Sequence, residues 1–78
     1  MMTPTVTAGG TSRESLKEQF LEANRKAGEL LKALAYAAPH ARDYPKDFGT
    51  AAKEHTVRLE SVRQIQNEMM HLAMAVDS

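Results

Sequence analysis

The side chains able to do chemistry are few. Glu68-Met69-Met70-His71 places a carboxylate and an imidazole three apart, the Glu-x-x-His spacing that di-iron helical bundles use for metal ligands. Those bundles need both groups inside. At about 100° per residue, Glu68 and His71 turn away from the apolar residues Val62, Met69 and Val76 of the same segment. The spacing therefore reads as a solvated pair, and no metal or other cofactor is expected. His55 does lie among apolar positions. Its expected state is a core imidazole hydrogen-bonded to a backbone carbonyl or a carboxylate; the functional alternative is a contact at a hairpin or dimer seam.

Nucleophilic chemistry has no support. There is no cysteine, and the four serines Ser12, Ser15, Ser61 and Ser78 lack a Gly-x-Ser-x-Gly or Ser-x-x-Lys setting. Gly9-Gly10 is followed by no Lys-Ser/Thr pair that would cradle a phosphate. The expectation is a protein that binds and does not catalyse.

Residues suited to recognition cluster between two prolines, in Pro39-His40-Ala41-Arg42-Asp43-Tyr44-Pro45-Lys46. Arg42, Asp43 and Tyr44 put a guanidinium, a carboxylate and a phenol on a stiff turn, and Arg and Tyr are common interface anchors. The alternative is that Tyr44 and Phe48 plug the end of a core while Arg42 and Asp43 pair with each other. Met70 and Met74, four apart, are apolar groups beside the expected core, and Val57 points to solvent; such methionines suit an adaptable partner contact. A second kind of site would use His40, Arg42 and Lys46 to hold a nucleotide or other anion near a helix N-terminus.

Two amphipathic helices must position these groups. Leu16, Phe20, Ala23, Ala27, Leu30, Leu34 and Ala37 step by four and three, one helical stripe, which Leu31 widens. Lys17, Glu18, Arg25, Glu29 and Lys32 occupy the opposite face. Thr11 with Glu14 fits a capping box, with Ser12 the alternative cap. Pro39 stops the helix. The spacing predicts helix one over 12–38, a loop over 39–47 and helix two over 48–76, capped by Asp47 or else Thr50. Helix two has its own stripe: Ala51, His55, Leu59, Val62, Ile65, Met69, Leu72, Ala73 and Val76. Glu22 with Lys26, and Glu54 with Arg58, form i,i+4 pairs of roughly 0.3 kcal/mol each. Residues 1–10 hold only Val6 among Thr, Pro, Gly and Ala, and read as a flexible tail.

A short loop folds two such helices back as an antiparallel hairpin, an all-α fold. The chain has 78 residues, too few to bury a large core in one hairpin. A homodimer forming a four-helix bundle is therefore expected. Ten basic residues balance ten acidic ones, against a general nucleic-acid binder. The absence of cysteine suggests a reducing compartment. No run of about 18 apolar residues is present to span a membrane, and MMTPTVTAGG has no signal-peptide pattern. A soluble cytoplasmic protein is expected.

The loop Ala38-Pro39-His40-Ala41-Arg42-Asp43-Tyr44-Pro45, with Lys53-Glu54-His55 and Arg58-Leu59 after it, resembles a group of small phage- and prophage-encoded proteins of unknown function. The resemblance covers about the C-terminal half and carries no active site. It implies a phage-encoded inhibitor or regulator that binds a host protein or defence component in the host cytoplasm. A structural or assembly subunit is the remaining alternative.

Overall fold

Ser12 has extended backbone angles, and its hydroxyl accepts from the Ser15 amide at 3.2 Å. This meets one of the orphan donors at a helix start. The cap is thus Ser12, not the Thr11–Glu14 box. In the computed structural model, which describes residues 2–5 and 9–76, helix α1 runs Arg13–Tyr36. It ends two residues before the expected 38. The Ala37 amide reaches both Ala33 and Leu34, and the Ala38 amide reaches back only to Ala35. The last turn has tightened to i→i+3 bonding, which a helix end adopts when its carbonyls lack further partners. Pro39 then excludes helical dihedrals at Ala38.

Ala41–Asp43 make one 3-10 turn, with the Asp43 amide on His40 and the Tyr44 amide on Ala41. Helix α2 follows, Phe48–Val76. Its first helical bond runs from the Ala51 amide to the Asp47 carbonyl, 3.0 Å, so Asp47 occupies the capping position. The element order is helix, 3-10 turn, helix, with no strand among the described residues.

The helices pack antiparallel. The Asn24 side-chain amide donates to the Gln66 carbonyl at 2.8 Å, and Leu34 meets His55 nearer the loop. The result is a rod of 58 × 20 × 17 Å. A radius of gyration of 17.3 Å exceeds the roughly 11–12 Å of a compact chain of this length. Buried apolar residues are Ala27, Leu72, Ala73 and Val76, and no large side chain among the described residues is wholly enclosed.

The two stripes are narrower than their periodicity suggests. Leu30 and Ile65 are 48% and 52% exposed, and Ala37 is exposed too. Two helices touch along a seam about two residues wide per turn, whereas a stripe of four-and-three steps includes residues on its shoulders. On α1 the seam also takes in Asn24 and Gly28: a methyl added at Gly28 would sit 3.1 Å from the Gln66 Nε2. Lys17 is half-buried, not on the solvated face. On the outer face, Glu22 pairs with Arg25, not with Lys26; Arg25 also reaches Glu29 at 2.8 Å, and Lys26 lies 3.4 Å from Glu29. Glu54 and Arg58 do pair, at 3.7 Å.

Candidate functional site: the loop end

The side chains converge at the loop end. His55 is 94% buried there. Its Nε2 stands 2.8 Å from the Leu34 carbonyl, and its Nδ1 lies 3.5 Å from an Arg58 guanidinium nitrogen. Arginine can only donate and a carbonyl can only accept. The geometry therefore places the proton on Nε2 and the lone pair on Nδ1. Leu34 is in the last turn of α1, where carbonyls lose their usual i+4 donor, and its carbonyl takes only the Ala37 amide locally. His55 supplies a second donor from the neighbouring helix. It is a C-terminal cap delivered across the seam, and it is the backbone-bonded core histidine expected from its place on the stripe.

Beside this bond lies a cleft of about 250 Å³. Tyr44, Asp47, Thr50, Glu54, His55 and Arg58 supply its polar lining, and Ala37, Pro39 and Ala51 its apolar wall. The i, i+3, i+4 spacing of Asp47, Thr50, Ala51, Glu54, His55 and Arg58 puts them all on one face of the first turns of α2. Contacts run from Glu54 through Arg58 and His55 to the Leu34 carbonyl. The volume falls below the roughly 300 Å³ of a usual small-molecule site. It matches one large side chain better than a cofactor.

Of the residues expected at a recognition loop, Tyr44 lines the cleft, while Arg42 and Asp43 lie outside its lining. Arg42 and Asp43 do not pair: neither side chain makes a hydrogen bond or ion pair among the described residues. His40 and Lys46 also lie outside the lining. The cleft carries the carboxylates of Asp47 and Glu54 and one guanidinium, Arg58, which pairs with Glu54; the formal balance of one negative charge disfavours an anion. Met70 and Met74 are exposed at the far end of α2, and Val57 is exposed on its outer face. They do not join the loop residues.

Sequence reasoning noted Asp47 and Thr50 as caps and Glu54–Arg58 as a pair, but did not gather them with His55 into one site. It also passed over Tyr36, which is 92% exposed at the last position of α1. The signal was an aromatic ring on a face otherwise given to charged residues.

A larger space of about 480 Å³ runs along Glu60, Arg63, Gln64, Asn67, Glu68 and His71. All six belong to α2, so only one helix borders it and nothing excludes water. Glu68 and His71 thus face outward together. Among the described residues no three His, Asp or Glu side chains converge as a metal site would require. The clearest electrostatic perturbation is also on an outer face. Arg25 donates to Glu22 and holds its carboxyl below the usual carboxylate range; the same bond raises the Arg25 guanidinium. No described helix is long and apolar enough to cross a membrane. Compared with family models, with curated proteins and with solved structures, the chain has no significant match.

Proposed function

We propose that this hairpin is a non-enzymatic protein-interaction module whose loop end engages a partner protein, in the manner of a small phage-encoded inhibitor or regulator of a host factor. One observation carries the reading. Three of the four aromatics, Tyr36, Tyr44 and Phe48, stand exposed at the loop end of the rod, and Tyr44 lines the cleft there. Aromatic rings leaving water on binding dominate interface energetics, and a neighbouring cleft gives a partner side chain somewhere to insert. Arg42, with its free guanidinium fork beside these rings, adds directional hydrogen bonding. The phage origin rests only on the resemblance of the loop and of Lys53-Glu54-His55 and Arg58-Leu59 after it.

The test is recovery of a stoichiometric protein from a bacterial lysate by the tagged chain, followed by affinity measurements on variants. Tyr44→Ala, Tyr36→Ala and Arg42→Ala should each weaken binding by about tenfold or more, near 2 kcal/mol at a hot spot. Lys32→Ala, on the exposed outer face of α1, should change it by less than twofold. If Met70→Ser or Met74→Ser abolishes binding while the loop variants keep it, the contact lies at the other end of the rod. A second reading, a small-ligand protein, draws on the cleft itself. Its acidic lining favours a cationic ligand over the nucleotide that His40, Arg42 and Lys46 suggested. A melting temperature that rises with added nucleotide would reverse that preference.

A further inference from the structure

The seam between α1 and α2 has two flanks, and they differ. Asn24 and Gly28 meet Gln66 on the first. Leu21 is seven residues before Gly28, and Met70 and Met74 are four and eight past Gln66, so these apolar groups border that flank. Its middle is closed by the hydrogen bond from Asn24 to Gln66. Ala37, Glu54 and Arg58 meet on the second flank, at the cleft. Leu30 is seven residues before Ala37 and Ile65 seven after Arg58, so both share this second flank.

Here the middle is apolar and open. Leu30 and Ile65 are half in water; Ala33 and Ala37 on α1 and Ser61 on α2, all small and exposed, lie beside them, with Lys26 and Glu68 at the rim. Leu72, one heptad past Ile65 on the same flank, is buried. The opening is therefore confined to the stretch between the cleft and the end of the rod where the helices begin and finish.

We infer that a second copy of this chain covers the second flank, two hairpins packing about a two-fold axis into a four-helix bundle with Leu30 and Ile65 at its centre. The area fits. A flank of the hairpin is about 36 Å long over the 24 residues of α1 and 20 Å wide. That is close to the ~800 Å² per partner of a standard protein contact. A two-fold contact uses the same patch on both copies, so it must be self-complementary. An apolar centre lined by small residues is so, and a formal net charge of zero leaves no long-range repulsion between copies. This patch adjoins the cleft through Ala37, but it is argued from Leu30 and Ile65 and stands whether or not the loop end binds a partner.

Sedimentation equilibrium of the purified full chain tests it, with no partner present. The wild type should sediment at twice 8.6 kDa at micromolar concentration. Ile65→Ala and Leu30→Ala, which keep helix propensity, should each raise the dimer dissociation constant at least tenfold. Met74→Ala, at the border of the first flank, should leave it within twofold. Circular dichroism on the same samples confirms that the variants remain helical, and a melting temperature that rises with concentration for the wild type supports the dimer independently. A wild type that stays monomeric and folded at hundreds of micromolar overturns the inference. So does a dimer that Met74→Ala weakens as much as Ile65→Ala does.

Discussion

The two ends of the rod are held together by different means. Where the helices begin and finish, Leu72, Ala73 and Val76 are buried, and all three are apolar. At the loop end the one buried side chain is His55, and what it contributes is a hydrogen bond to the Leu34 carbonyl. Apolar burial is non-directional and scales with area. A buried hydrogen bond adds little net stability when made but costs much when half-broken. The first end acts as the anchor. The second holds its geometry through one directional contact, which leaves Tyr36 almost wholly in water and Tyr44 and Phe48 partly so. An end that spent its aromatics on its own core would have none to offer a partner.

The largest effect should come from breaking the anchor. Ala73 has no exposure at all, so Ala73→Asp buries an unpaired carboxylate against α1. The cost should exceed about 3 kcal/mol, enough to abolish a fold of this size. Far-ultraviolet circular dichroism at 25 °C should show most of the helix lost. Native helicity with an unshifted melting curve would mean that this end is not the anchor.

A smaller loss is expected at the loop end. His55→Phe keeps an aromatic ring, slightly larger, and removes the donor, so the half-buried Leu34 carbonyl keeps only the Ala37 amide. Losing that one bond should cost about 0.5–1.5 kcal/mol, read as a lower urea midpoint with an unchanged slope. His55→Gln, whose amide can still donate, should recover part of the loss. If phenylalanine stabilises the chain instead, the loop end is held by packing and the contrast between the ends disappears.

Much of this arrangement was legible in the residues themselves. Steps of four and three gave both helices, and α2 begins at the expected 48 because Pro45 and Asp47 mark its start. The end of α1 was not legible. Tightening of the last turn consumes Ala37 and Ala38, and no single residue in the local pattern announces it. The same holds for His55. Its place on the stripe implied a backbone partner, but naming the Leu34 carbonyl requires the register between the helices, which no local pattern carries. Leu30 and Ile65 were assigned to the core because a single-helix wheel cannot show how narrow a two-helix seam is. The cleft was invisible for a related reason. Its residues had separate local explanations, as caps and as an ion pair, and only the fold-back adds Ala37, Pro39 and Tyr44 to them.

The smallest expected effect lies midway between the two ends, where neither means of attachment dominates. A glycine inside a helix costs about 0.8–1.0 kcal/mol relative to alanine, because its backbone has more freedom to lose. Gly28 sits in the middle of α1 and on the seam. The methyl of Gly28→Ala would stand 3.1 Å from the Gln66 Nε2, tighter than an ordinary contact by a few tenths of an ångström. The neighbour is the free end of a flexible side chain, so it can move. The Asn24 bond goes to the Gln66 backbone and is not disturbed by that movement. Propensity should therefore win, with a net gain of about 0.5 kcal/mol and a melting temperature a few degrees higher. Gly28→Leu adds three further carbons where one already crowds the seam, and should destabilise. Should Gly28→Ala also destabilise by a kilocalorie or more, the helices approach too closely at their midpoint for any side chain. The rod would then be fastened at its centre as well as at its ends.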